Sequence, residues 1–333
     1  MVEVIAFASL IGGLVILAVA GDFLVGGAVS IAQHMGISPL VAGIFVVGFG
    51  TSAPEMLVAV DAALEGYPEL ALGNIVGSNI ANIWLVLGLP ALIAPLATGG
   101  YGQSRALVAM LVATAVWIIL TATGPLHAGI GTAFILGLVL YAAITLYIVR
   151  KAVAAGVDVG LDDDLDRFEW PKTLGYLIVG LIGLPIGAHL IVDGGVTIAR
   201  MFDVPEEVIG LSLLAIGTSL PEIGAAIAAA RKGHGELCVG NVLGSNLFNI
   251  LGAGGIVGLM AGFSDTPIRV TATFLNYDHW AMAAAALTLA VYILLKAPIT
   301  RLAGVLLLLI YAAYLYGLVN GWNILALFGG SPA

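Results

Sequence analysis

The sequence predicts an all-α polytopic membrane protein of ten transmembrane helices, built as two inverted five-helix repeats. Three observations predict it. Of 333 residues, 61% are hydrophobic and 9% charged, against about 25% charged in soluble domains, and the mean hydropathy is +1.12. So little polar surface suits lipid and not water. Apolar segments recur at the length of a membrane span. One stretch also occurs twice: Val46–Pro90 overlies Leu213–Val257 at a constant shift of 167, with 19 of 45 positions identical.

The ten apolar segments run over 4–31, 38–64, 70–96, 104–123, 127–149, 173–199, 205–230, 237–260, 279–296 and 301–327. Each is long enough to cross a hydrocarbon core of about 30 Å. The first is too long for the apolar region of a cleavable signal and is expected to remain as a span. The second and third carry the first copy of the duplicated stretch, and the seventh and eighth carry the second. The fourth, fifth, ninth and tenth are plain apolar runs. Arg150 to Lys172 is the one clearly aqueous stretch, with Asp158, Asp162, Asp163, Asp164, Asp166 and Glu169. It separates a first half (1–150) from a second (173–333), with 151–172 as an acidic linker. The formal charge of −9 is thus largely a property of one loop.

With the linker placed in the cytoplasm, Arg105, Arg150, Lys151, Arg167, Lys172, Arg231, Lys232, Lys296 and Arg301 fall inside. Only Arg200 and Arg269 fall outside. The positive-inside rule accepts nine against two and rejects the reverse. Both termini are then outside, and an integral protein of a prokaryotic inner membrane is expected. An odd number of spans per half makes the two repeats enter the membrane in opposite directions, a hallmark of secondary transporters.

The identities inside the repeat are polar: Gly50-Thr51-Ser52-x-Pro54-Glu55 against Gly217-Thr218-Ser219-x-Pro221-Glu222. Gly73-Asn74-x-x-Gly77-Ser78-Asn79-x-x-Asn82 likewise matches Gly240-Asn241-x-x-Gly244-Ser245-Asn246-x-x-Asn249. A carboxylate inside a span costs at least about 2.5 kcal/mol unless it is paired, and neither motif contains Lys or Arg. A proton or a bound cation remains to neutralise Glu55 and Glu222. Helical spacing puts Thr51 and Ser52 on the same face as Glu55, and Ser78 on the same face as Asn82. Pro54 and Pro221 each remove a backbone donor, freeing the carbonyls of Gly50 and Gly217, and a kink is expected at each. Hydroxyls, amide oxygens, carbonyls and carboxylates make a hard oxygen cage of the kind Ca2+ or Na+ prefers.

Other polar features are weaker. Asn79 and Asn246 divide evenly between ligand and interhelical contact, and Asn74 and Asn241 are expected to shape the helix entry. Asp22, Asp61, His189 and Asp193 are expected near span ends. Asp162-x-Asp164-x-Asp166 opens like an EF-hand, but Arg167 stands where the loop needs Gly and Thr173 where it needs Glu, so a solvated linker is expected. Cys238 is the sole cysteine, leaving no disulfide and no thiolate metal pair. No feature points to nucleic acid, and a monomer is expected.

The two copies of Gly-Thr-Ser-x-Pro-Glu with Gly-Asn-x-x-Gly-Ser-Asn resemble the α-repeats of the sodium/calcium exchanger family, in the calcium/cation antiporter superfamily. The resemblance covers both repeats and the ten-span layout. It implies that the second, third, seventh and eighth spans surround the ions while the first and sixth slide across them. The implied ligands are Thr51, Ser52, Glu55, Ser78 and Asn82, with Thr218, Ser219, Glu222, Ser245 and Asn249. Carbonyls near Gly48 and Ala215 would complete the sites. The position of Asn249 is an aspartate in some prokaryotic exchangers and in the potassium-dependent branch, so Asn here weakens a potassium-dependent reading. Ca2+ and Na+ would be cargo, with no resident cofactor and no enzymatic activity.

The expected mechanism is electrostatic competition: two glutamates are neutralised by one Ca2+ or by two or more Na+, and the unneutralised cage cannot cross the apolar barrier. The resemblance implies three Na+ per Ca2+. Related antiporters of Ca2+ with H+, of Mg2+, or with K+ dependence remain open, as does a cation channel. An intramembrane hydrolase built on His189 or His234 is disfavoured, since neither shows helical pairing with a serine.

Overall fold

The computed structural model describes residues 2–157, 168–202, 215–263, 268–271 and 274–324. The described chain is helical apart from its connections and two isolated β-bridges, Leu96 with Ile299 and Leu126 with Ile268. Nine helical stretches among these residues are long and apolar enough to cross a membrane: Glu3–Met35, Pro39–Leu64, Glu69–Ile93, Gln103–Thr123, Ala128–Ala154, Trp170–Met201, Gly235–Met260, Phe274–Leu294 and Arg301–Val319. They correspond to the first six and last three expected spans. The seventh is described as Ala215–Gly217 and Leu220–Arg231, and its expected beginning at 205–214 lies outside the described residues. So do Asp158, Asp162, Asp163, Asp164, Asp166 and Arg167 of the linker.

The inversion is visible in how the first and sixth spans meet. They pack along their length in antiparallel register. A Cβ built on Gly194 would stand 2.6 Å from the Ala6 carbonyl oxygen, and one on Gly13 would stand 2.7 Å from that of Gly187. At the far end, Ser30 and Thr173 share a buried hydrogen bond of 2.7 Å. Equivalent helices that run antiparallel can only come from repeats of opposite direction. The bridges follow the same symmetry: one ties the third–fourth connection to the ninth–tenth, the other the eighth–ninth to the fourth–fifth.

The motif-bearing spans depart from regular α-helix where the site lies. The second span widens into a π-helical turn over Gly43–Gly48, and the helix Phe49–Leu64 then runs unbroken through Pro54. A departure from α-helical hydrogen bonding thus lies upstream of Pro54. Proline removes a single helical hydrogen bond, whereas the glycines at 43 and 48 admit the wider turn. In the seventh span the helix breaks at Thr218 and Ser219, just before Pro221. The eighth span has a π-turn over Phe248–Ala253 that contains Asn249. Turns of this kind often mark functional sites. The ninth span begins at Phe274, five residues before the expected start, so its polar opening Asn276-Tyr277-Asp278-His279 belongs to the helix.

Candidate functional site: a buried oxygen cage between the repeats

The second and eighth spans approach backbone to backbone. A Cβ on Gly43 would stand 2.6 Å from the Leu237 carbonyl oxygen, and one on Gly240 would stand 2.5 Å from that of Leu40. Without side chains at these positions, the two motif copies are brought against each other in the protein interior. Thr51, Ser52, Glu55, Ser78, Asn82, Ser219, Glu222, Ser245 and Asn249 are all buried. Thr218 is only half-buried, in the two-residue turn.

The connections cross between repeats. Ser52 Oγ donates to Glu222 Oε1 at 3.2 Å, and Ser219 Oγ donates to Glu55 Oε1 at 3.4 Å. These are symmetry-related bonds, each serine serving the other repeat's carboxylate. Glu55 also faces Glu222, Ser78 and Asn249. Ser245 Oγ donates to the Gly48 carbonyl at 3.4 Å, and Thr51 Oγ1 bonds Val47 O at 3.0 Å and Asn241 Oδ1 at 3.3 Å.

Several polar atoms of the two motifs are left over. Glu55 Oε2, Glu222 Oε2, Asn79 Oδ1, Asn82 Oδ1, Asn241 Nδ2 and both amide atoms of Asn249 are buried with no hydrogen-bond partner among the described residues. Each such atom costs about 1–3 kcal/mol, and more when charged. Of the described basic side chains none forms an ion pair with either glutamate; Lys232 pairs with Asp22 and His189 with Asp193. Chemically, the arrangement concentrates two carboxylates and several neutral oxygens in the interior, and no basic side chain among the described residues is paired with either carboxylate.

The orientation of Asn82 is forced. Asn246 Nδ2 meets the Asn79 carbonyl oxygen at 3.3 Å and the Met110 sulfur at 3.6 Å. A backbone carbonyl can only accept, so the nitrogen of Asn246 must lie on that side. Its oxygen therefore faces Asn82, which answers with Nδ2 at 3.1 Å. The oxygen of Asn82 is thereby turned to the opposite side. The symmetric residue, Asn79, bonds Ile75 O on its own helix at 2.7 Å and gives Asn249 no equivalent support.

Sequence reasoning placed other polar groups less well. Asn74 donates to the Glu55 carbonyl at 2.9 Å, and Asn241 accepts from Thr51, so both belong to the rim of the cage. Their recurrence in the repeat was the available signal. Asp22 lies well inside the first helix, with Lys232 Nζ 3.8 Å from its carboxylate and donating to its carbonyl at 2.6 Å. His189 and Asp193 form a 3.2 Å pair on an exposed face of the sixth span, and Asp61 is exposed. A second buried network lies in the ninth and tenth spans. There Tyr314 Oη donates to Asp278 Oδ1 at 2.9 Å and Tyr277 Oη donates to the Tyr314 carbonyl at 2.9 Å.

Comparison with known proteins accords with this geometry. The profile of a family described as sodium/calcium exchanger protein matches residues 5–150 and 172–320. The putative antiporter CaxA of Alkalimonas amylolytica is 35% identical over 316 residues, 91% of this chain and 95% of that protein. The sodium/calcium exchanger MaX1 of Methanosarcina acetivorans is 29% identical over 356 residues, covering 93% and 97%. A solved structure of the sodium-calcium exchanger NCX_Mj, soaked with zero Na+ and Ca2+, superposes with a TM-score of 0.80. It shares 29% identity over 96% of this chain and 100% of that one. An all-helical fold of inverted repeats, a duplicated acidic motif and a match along both halves lead to one assignment: this chain is an integral membrane transporter that belongs to the sodium/calcium exchanger family.

Proposed function

We propose that the chain is a secondary antiporter that exchanges Na+ for Ca2+ by alternating access, with the ions held around Glu55 and Glu222. The observation that carries this reading is the pair of buried glutamates that meet between the repeats, each with an oxygen that has no hydrogen-bond partner and neither with a basic partner among the described residues. A cation held between them would answer both charges. Thr51, Ser52, Ser78, Thr218, Ser219 and Ser245 supply the neutral oxygens around them. One Ca2+ balances the two carboxylates, as do two Na+ spread over the same ligands. A cage with neither carries two buried charges across an apolar barrier, which couples the two ions. The first and sixth spans, packed through small residues, are the elements that slide past the cage.

We place the acidic linker in the cytoplasm of a prokaryotic inner membrane and both termini outside, on the nine-to-two distribution of basic residues. One chain contributes both halves of the cage, so the monomer is the working unit. The test is uptake of radiolabelled calcium into proteoliposomes loaded with sodium. Uptake should require an outward sodium gradient and reverse with it; calcium flux indifferent to sodium, through a channel or an antiporter coupled to another ion, would overturn the reading.

Two further results are expected from the same assay. Asn249 is neutral and adds no call for an extra monovalent ion, so replacing K+ by choline at fixed Na+ should leave exchange intact. Loss of most of the activity in choline would place the chain in the potassium-dependent branch. Asn246 touches the cage only through Asn82. Asn246→Leu frees the Asn82 amide to rotate, so one neutral ligand is no longer pre-oriented. A hydrogen bond of about 0.5–1.5 kcal/mol is at stake, so the half-saturating Ca2+ concentration should rise roughly two- to tenfold with the maximal rate retained. An unchanged half-saturation would show that Asn82 needs no such support.

A further inference from the structure

We propose that an anionic phospholipid binds at the linker face of the first half, with its phosphate on Arg105 and part of one acyl chain in a cavity between the second, fourth and fifth spans. The cavity has a volume of about 220 Å³, and its walls include Leu40, Ile44, Ile144 and Ile148. Sites that enclose a whole small molecule run to about 300–1,000 Å³. This one suits a length of hydrocarbon whose remainder lies in the bilayer.

Its polar features lie where a lipid headgroup would need them. Arg105 lines the cavity from the first turn of the helix Gln103–Thr123. That turn is on the membrane face to which the fifth span, Ala128–Ala154, delivers the chain at the linker. The guanidinium is exposed, lies over the Tyr101 ring at 4.8 Å and has no carboxylate partner among the described residues. A cation without a carboxylate partner at the polar boundary of an apolar cleft is complementary to a phosphodiester. A second group points the same way. Tyr141 and Thr145 line the cleft with Arg105, and their hydroxyls lie beside one another. Of two hydrogen-bonded hydroxyls, one keeps its proton to donate to a phosphate or ester oxygen.

The site is linked to the transport core through its inner wall. Leu40 and Ile44 present their side chains to the cavity while their carbonyls pack on Gly240 and Gly244 of the eighth span. The Phe45 ring of the widened turn lies 5.9 Å from Tyr141. An acyl chain seated here fills space behind the turn that brings the two repeats together, and so stabilises that contact.

The test uses the purified full-length protein in a neutral detergent, titrated with phosphatidylglycerol, phosphatidylcholine or inorganic phosphate, with thermal stability as the readout. Binding is read without transport, so its failure and that of the exchanger assignment are distinguishable. Phosphatidylglycerol should raise the melting temperature saturably, and the other two should not. Arg105→Gln should weaken the apparent affinity for phosphatidylglycerol by about tenfold or more. Ala109→Leu, which fills the cleft and keeps the charge, should do the same. An equal response in parent and both variants overturns the proposal, as does a full response to inorganic phosphate alone.

Discussion

Glu55→Gln and Glu222→Gln should each abolish sodium-driven calcium uptake while leaving a folded protein in the membrane. Each substitution keeps the size of the side chain and an oxygen to accept from Ser219 or Ser52, so the reciprocal bonds between the repeats survive. What is lost is one of the two charges that balance Ca2+. With Ca2+ bound, the cage then carries a net positive charge in a dry interior. Leaving one buried charge unanswered costs about 3–5 kcal/mol, or roughly two to four orders of magnitude in affinity. Without cations, the variants lose the repulsion between two facing carboxylates and should be at least as thermally stable as the parent. Uptake measured beside size-exclusion profiles and melting curves decides the matter. Near-normal transport in both variants would mean that Ca2+ is not held by this pair.

Gly240→Leu should prevent assembly of the transport core. A Cβ at this position would stand 2.5 Å from the Leu40 carbonyl oxygen, and Gly43 on the opposite helix is hemmed in at 2.6 Å by the Leu237 carbonyl. The obstacles are backbone atoms, so no rotamer change relieves them. The second and eighth spans would have to separate, and with them Gly48 and Ser245, whose 3.4 Å bond joins the repeats at the cage. Overpacking of this kind costs about 1–3 kcal/mol even where side chains can adjust. The expected result is a low yield of monodisperse protein, a fall in melting temperature and no transport. Gly12→Leu is the control, since no atom lies within 4 Å of a Cβ built there. A Gly240→Leu protein with the parent's stability and transport would show that the two spans do not need this approach.

Much of this architecture was legible in the residue string because it depends on local properties of the chain. Hydrophobicity places segments in the membrane wherever they come to pack, and a duplicated motif is visible without coordinates. An odd number of spans per repeat is enough to infer inversion. Glu55 and Glu222 stood out because neither motif offers a counter-charge. The failures have a common cause. The apolar window of the ninth span opens at 279 and leaves out Asp278, which in the helix bonds Tyr314. An apolar window cannot register a polar group whose partner lies on another span.

Only the tertiary structure decided which oxygens face each other. Helical periodicity correctly put Thr51, Ser52 and Glu55 on one face, and from that alone Ser52 belongs with Glu55. In the folded protein Ser52 serves Glu222, and Ser219 serves Glu55, because inverted repeats that cross at the centre exchange partners. The same holds for Asn246, divided by sequence between ligand and interhelical contact and in the structure the group that aims Asn82. The sequence by itself determined that this is a membrane protein of two inverted halves with one buried carboxylate in each. The tertiary structure decided how those halves complete one another. Periodicity states what a helix face contains, and packing alone states what that face meets.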